Sequence, residues 1–301
     1  GIPIVRSIKQ GFSGDRIDKF MGIVNGTANY ILSAMSSEGV DFDQALNDAQ
    51  KKGYAEADPT FDIEGIDAAH KVIILMALSF NGLFDFSQLY VEGITGIESI
   101  DIAIAEESGY AIKLLGCAAR TENGYEGKVC PALVDKKNML AAVTGAFNAV
   151  SIWGNFVGET LSYGAGAGSH PTASAVVSDI IETARLMIAG MDNPVPPLNT
   201  GIDALTRQDI LPMSETESEY YLRIASDNAE TSVDDILKIL GDAAINLKSM
   251  EQKSGSGDLS LQKYLILFTE KSNEEQMQSA IQKLNTLSVV AKPVKMIRVE
   301  H

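Results

Sequence analysis

Cysteine is scarce in this sequence: Cys117 and Cys130 are the only two among 301 residues, and no C-x-x-C occurs. That excludes a disulfide framework, and two reduced, buried thiols are what a cytoplasmic protein carries. Histidine is as rare, with His70, His170 and His301, and no Cys/His cluster has zinc-ligand spacing. No stretch reaches the roughly 20 apolar residues that span a bilayer; the best candidate, Val72–Phe80, is far too short. Positive charge is the minority sign, with 24 Lys and Arg against 40 Asp and Glu, a net charge of −16. Such a chain lacks the clustered cations that bind nucleic acid or an anionic membrane surface. What remains is globular: 45% of residues are apolar and 21% charged. The length is enough for about two domains with sizeable cores.

The start, Gly-Ile-Pro-Ile-Val, is neither a signal peptide nor an ordinary start and reads as a domain entered midway. Pro194, Pro196, Pro197 and Pro212 are four of the nine prolines, with Asn199, Thr200 and Gly201 among them. This is a linker signal, placed at 191–216. Before it, helices are expected at Thr27–Ser37, Phe42–Lys52, Ile63–Phe80, Ile100–Glu107 and Pro171–Ala189. Strands are expected at Tyr110–Ala119, Glu126–Leu133 and Ala146–Trp153. After it the order is strand Tyr220–Ile224, helix from Ser232, strands Leu247–Gln252 and Lys263–Thr269, helix capped by Asn273, strand Val294–Val299. The second half thus reads βαββαβ, with a turn at Ser254–Asp258. The fold class expected is α+β: a mixed-sheet domain covered by helices, then a ferredoxin-like unit.

Three stretches carry chemistry. From Glu56 to Asp67 there are five carboxylates and no base, and Lys71 follows four residues after Asp67. On a helix Asp67 and Lys71 share a face, which continues through Ile74, Leu75 and Leu78. This places Lys71 where a polar pocket meets the core. Spacing alone leaves two readings: an ordinary surface ion pair, or a lysine held among carboxylates that can bond a substrate oxygen and relay a proton. The second stretch, Gly22–Leu32, joins an Asn-Gly turn to a helix whose first N–H groups either are plainly capped or receive a carboxylate. The third, Gly164–Val176, is a glycine-rich loop opening a helix with Pro171 in its first turn. It allows close backbone approach but is no dinucleotide fingerprint by itself.

Together the stretches GIVNGTANYIL (22–32), GYAEADPTFDIEGIDAAHK (53–71) and GAGAGSHPTASAVVSD (164–179) resemble homoserine dehydrogenase. The likeness continues through Gly109–Gly116 and Asn148–Leu161 and covers nearly all of residues 1–190. The βαββαβ segment resembles an ACT domain, the amino-acid-sensing module often fused behind this enzyme. Its loop Ser226–Ser232 lacks the glycine usual after the first strand of that module.

The resemblance implies NAD- or NADP-dependent interconversion of L-homoserine and aspartate 4-semialdehyde, in the route to threonine, methionine and isoleucine. It implies Lys71 as the proton donor and acceptor. Glu56, Asp62 and Asp67 become substrate-binding residues, with Thr27 and Tyr54 lining the pocket. Gly168 lies near the cofactor, and the carbonyl of Ile2 is one ligand of a Na+ or K+ site. The implied organisation is a substrate domain (1–160), a segment returning to a Rossmann domain (161–190), the linker, and an ACT-like regulatory domain (217–301) with threonine as effector. A G-x-G-x-x-G is absent, so the Rossmann half is expected to be missing from this chain. A homodimer or higher homo-oligomer is expected. The alternative is a non-catalytic dimerisation and amino-acid-sensing fragment.

Overall fold

A computed structural model describes residues 1–191, 195–226, 233–254, 263–288 and 290–301. Pro194 of the linker, loop residues 227–232 and the turn at 255–258 lie outside the described residues. In chain order the main elements are β1 (Ile17–Ile23), α1 (Gly26–Glu38), α2 (Phe42–Lys51), α3 (Thr60–Ile63), α4 (Ile66–Phe80), α5 (Ser99–Glu107), β2 (Tyr110–Thr121), β3 (Gly124–Asp135), β4 (Phe147–Gly154), β5 (Gly158–Ala165) and α6 (Ser169–Ile188). They continue with β6 (Glu217–Ser226), α7 (Val233–Asp242), β7 (Leu247–Ser254), β8 (Lys263–Thr269), α8 (Glu274–Leu284) and β9 (Lys295–Glu300).

The chain divides into two units. One comprises Gly1–Ser99, Lys113–Cys130 and Met139–Leu211; the other comprises Ile100–Ile112, Pro131–Asn138 and Pro212–His301. Both mix helices with sheet. Pairing is mostly antiparallel; parallel pairs join Tyr90–Val91 to Lys128 and Val129 of β3 and Gly82–Phe84 to Thr206–Gln208 within the first unit, and β9 to residues 132–134 of β3 within the second.

In the first unit the strand order is β3-β2-β1-β4-β5. β1 is antiparallel to both neighbours, with Gly22 opposite Gly116 on one side and Val150 on the other. Its run Phe20–Ile23 is fully buried, so it has no period-two alternation to announce it, and the sequence reading passed over it. β5 lacks a signal for the opposite reason: it is a largely polar strand that, among the described residues, pairs only with β4 at the sheet edge. Helix α4 lies close on this sheet. A Cβ added at Gly116 would stand 2.3 Å from Val72 Cγ2, so only glycine admits the helix there. The single helix expected over Ile63–Phe80 is two, because Gly65 adopts φ +79 and ends α3 before α4 begins.

In the second unit β6-α7-β7-β8-α8-β9 forms a sheet of order β7-β8-β6-β9, antiparallel throughout. Helices α7 and α8 bury Ile236, Leu240, Met277, Ile281 and Leu284 against Tyr220, Leu222 and Leu267. Asn273 caps α8 as expected, accepting from the N–H groups of Glu275 and Gln276. The ion pairs Arg223–Asp101 and Arg298–Glu274 are buried. Arg223 Nε donates to Asp101 Oδ1 at 2.7 Å, which also accepts from the Tyr221 hydroxyl. Arg298 reaches Glu274 at 2.5 Å, and Tyr220 donates to the same carboxylate. Among the described residues no helix is long and apolar enough to cross a membrane.

Candidate active site

A cleft of about 630 Å3 opens in the first unit. It is built by the opening residues Gly1–Val5, the β1–α1 junction, Gly53 and Tyr54 beyond α2, the α3–α4 corner, and Gly166–Gly168 before α6. Strands β1 and β4 supply its floor through Ile23, Asn148 and Val150. These segments are distant in sequence. They meet because β1 and β4 pair, and α1 and α4 start at the same end of the sheet.

Of the residues singled out in the sequence, Ile2, Thr27, Tyr54, Asp62, Asp67, Lys71 and Gly168 line the cleft. Glu56 does not. Its backbone carbonyl accepts from Gln50 Nε2 at 3.0 Å and its side chain is exposed. Lys71 and Asp67 pair at 2.5 Å as their i,i+4 spacing requires, and Lys71 Nζ also donates to the Val24 carbonyl at 3.0 Å. The lysine is more open than expected: its side chain is 47% exposed, and Ile74 on the same face is 52% exposed. That face of α4 borders the cleft, and only Leu75 and Leu78 continue into the core.

The residue that sequence reading missed is Asn25. It caps α1, its Oδ1 accepting from Ala28 N at 2.8 Å. Its amide nitrogen donates to Asp62 Oδ1 at 2.7 Å and to Asp67 Oδ2 at 2.8 Å. The plain cap foreseen for this turn is therefore there, and it reaches two carboxylates as well. The Asn-Gly-Thr sequence signals a cap, but nothing in it signals partners 37 and 42 residues away.

Tyr54 is fastened to the same junction. Thr27 Oγ1 donates to its carbonyl at 2.7 Å, and its ring packs on Tyr30 at 4.7 Å. The Tyr30 hydroxyl donates to Asp48 and accepts from Lys52. The Asp48 hydrogen bond raises the Tyr30 hydroxyl above its ordinary titration range. On the far side, Asn148 Nδ2 donates to the Ile23 carbonyl at 2.9 Å, and a Cβ at Gly166 would fall 1.7 Å from Asn148 Oδ1. Gly166 therefore lets its loop close against the sheet. Gly168 stands at the start of α6, which has no side-chain cap. The Ile2 carbonyl accepts from Ile4 N at 2.8 Å. Among the described residues no group of three or more His, Cys, Asp or Glu could hold a metal ion.

The cleft thus presents one ammonium, two carboxylates and a helix start at Gly26–Thr27. That is suited to a small zwitterion that gains or loses a proton. Residues 3–181 match the family model described as homoserine dehydrogenase. The homoserine dehydrogenase of Pseudomonas aeruginosa is 44% identical over 301 residues, covering 100% of this chain and 69% of that protein. The crystal structure of a homoserine dehydrogenase from Thiobacillus denitrificans superposes with a TM-score of 0.91 at 46% identity, over 99% of this chain and 68% of that one. A hyperthermophilic archaeal homoserine dehydrogenase in complex with NADPH matches at a TM-score of 0.51 and 30% identity, over 60% of this chain and 51% of that one. With the family model spanning more than half of its residues and a close relative aligned along its whole length, the chain belongs to the homoserine dehydrogenase family, a family of oxidoreductases.

Proposed function

We propose that the cleft is where homoserine and aspartate 4-semialdehyde are interconverted, with Lys71 as proton donor and acceptor. The observation that carries this is the placing of Lys71 Nζ between Asp67 Oδ2 and the Val24 carbonyl on the cleft wall. Two of its three N–H bonds are directed by these oxygens, which aims the third. In the reducing direction Lys71 gives a proton to the carbonyl oxygen as that oxygen becomes an alcohol; in the oxidising direction it takes the proton back. Asp62 and Asp67, which line the cleft, receive the substrate ammonium, and Glu56, outside it, has no part in this. The start of α1 at Gly26–Thr27 receives its carboxylate. Thr27 and Tyr54 close the side of the pocket.

NADP or NAD, when bound, supplies or accepts the hydride. The described residues fit one edge of such a cofactor: the α6 start has Gly168 in place of a side-chain cap and borders the cleft. The archaeal neighbour is an NADPH complex. We propose that the Rossmann half lies outside this span and covers α6. The absence of a G-x-G-x-x-G supports this, as do the exposed Val176, Val177, Ile180, Ile181 and Ile188 along that helix. Residues 161–190 are then the returning segment and 1–160 the substrate domain. The Ile2 carbonyl is proposed as one ligand of a Na+ or K+ ion. By itself it does not make a site, and no step is assigned to one.

The antiparallel order β7-β8-β6-β9 with both helices on one face supports reading 217–301, behind the 191–216 linker, as a ferredoxin-like ACT domain with threonine as effector. The stacked, partly exposed Phe147 and Tyr163 support a homodimer or higher homo-oligomer, and the two buried thiols a cytoplasmic setting. The non-catalytic alternative is not favoured, since the whole chain aligns with dehydrogenases.

The test is Lys71→Ala in the enzyme complete with its dinucleotide-binding half. Turnover is expected to fall on the order of a hundred- to ten-thousand-fold. A variant with turnover within about threefold of the parent, far inside the range typical of a lost general acid, would remove Lys71 from this role.

A further inference from the structure

We propose that Asn25 is the positioning residue that assembles Asp62, Asp67 and Lys71 into one working constellation; the proposal rests on the reading of Lys71 given above. Three separate helix starts meet at this side chain. Its Oδ1 caps α1 through Ala28 N at 2.8 Å. Its two amide hydrogens go one each to Asp62 at 2.7 Å, in α3, and Asp67 at 2.8 Å, in the first turn of α4. Asn25 is 5% exposed and has no amide hydrogen left over.

Asp67 Oδ2 is shared, taking Asn25 on one side and Lys71 Nζ on the other. The residue before Asn25, Val24, supplies the second oxygen that holds Lys71. One strand-to-helix junction therefore fixes both the acid–base lysine and its carboxylate partner. An i,i+4 pair alone is worth a few tenths of a kcal/mol and would not hold a half-exposed lysine in one geometry.

The choice of amide has a chemical reason. Two carboxylates facing one point repel each other unless a donor stands between them. Lys71 already offsets one of the two negative charges, and a second cation in place of Asn25 would cancel the charge left for the substrate ammonium. A neutral amide supplies two donors and no charge, so the site keeps its acidic character with Asp62 and Asp67 held apart in fixed directions.

The separating experiment uses substitutions that keep the helix cap. Ser and Asp are cap residues as good as Asn, so Asn25→Ser and Asn25→Asp preserve α1. Serine is too short to bridge the two carboxylates, and aspartate offers them a third negative charge in place of two donors. Both variants, with Lys71→Ala beside them, are assayed in the complete enzyme for kcat, for KM toward homoserine and toward the dinucleotide, and for Tm. The expected result is a kcat lowered on the order of a hundredfold, as small misplacements of catalytic groups produce. A several-fold higher KM for homoserine and an unchanged KM for the dinucleotide should accompany it, with a Tm near the parent's for Asn25→Ser and a lower one for Asn25→Asp, whose buried carboxylate faces two others. Asn25→Asp should be the more impaired. Calorimetry of homoserine binding should show the same weakening without turnover.

Wild-type kcat and homoserine KM in both variants, with Lys71→Ala inactive, would overturn the proposal and leave Asn25 a plain cap. Equal losses of homoserine and dinucleotide affinity would overturn it in favour of a general structural role. An active Lys71→Ala variant would instead remove the reading on which the proposal rests.

Discussion

Lys113 offers the sharpest physical test of this fold. It sits on β2, 4% exposed, with Nζ donating to the Val143 carbonyl at 2.6 Å and reaching Asn29 Oδ1 at 3.5 Å. Both partners are neutral, and burial pulls the ammonium down from 10.5 to about 8. In the unfolded chain it titrates at its ordinary value. Between about pH 8 and 10.5 the unfolded state therefore binds more protons, and stability rises with pH across that window. The full cost of burying the charge is present below pH 8 and is relieved as pH approaches 10.5. Lowering the ammonium from 10.5 to about 8 corresponds to a cost of roughly 3–4 kcal/mol.

Lys113→Met removes the charge with little change of length. It also removes a donor from the Val143 carbonyl, an effect of about 1–3 kcal/mol. The loss is softened because Asn29 Nδ2 donates to the same carbonyl at 3.2 Å. Near neutral pH the variant should therefore match the parent or exceed it by up to about 2 kcal/mol. Toward pH 10 only the loss remains, so the variant falls behind the parent. Urea unfolding of both proteins at several pH values reads this directly, and subtracting one curve from the other removes every other titrating group. A stability gap widening by roughly 3 kcal/mol between about pH 7 and pH 10 is expected. Parallel curves would show that Lys113 is not a buried cation, and would refute the reasoning.

Other consequences follow from close contacts. Arg298→Met strands the Glu274 carboxylate in the second unit and should cost about 3–5 kcal/mol, most of it recovered on adding Glu274→Gln; denaturant unfolding of the double-mutant cycle checks this. Burial pushes the Glu274 carboxyl up, but Arg298, Gln278 and Tyr220 together outweigh it and hold it below its ordinary 4.5. This pair therefore stabilises the protein above that pH and stops doing so as pH falls further, which an acid-unfolding series on the same cycle will show. Gly166→Ala drives a methyl into Asn148 Oδ1 and should weaken homoserine binding in calorimetry while leaving Tm near the parent's. Gly116→Ala forces α4 off the sheet at Val72 and should lower stability by about 1–3 kcal/mol in urea unfolding.

Much of the architecture was legible because local signals agreed. α1, α2, α5 and α6 fall within about two residues of their expected bounds, and β8 matches at both ends. The ion pair of Asp67 and Lys71 was legible for the same reason, since four residues on a helix is a fixed distance. The break at Gly65 was not, because the apolar run on either side reads as one helix until the glycine's left-handed backbone is seen. Lys113 read as an unremarked member of a strand, and its burial depends on α1 and the Val143 segment folding over it.

The division follows the range of the forces involved. Helical periodicity, caps, turns and the acidic run with its lysine are set between near neighbours, so the sequence alone determined them, and through them the family. Which acidic residues reach the cleft was decided by tertiary structure. Asp62 and Asp67 line it and Glu56 does not, although all three share one motif. The pairing of β1 with β4 and the shared end at which α1 and α4 begin put Asn25 between two carboxylates and bring Gly166 against Asn148. Hydrogen bonds act over about 3 Å, and only the folded chain carries residues tens of positions apart to within that distance.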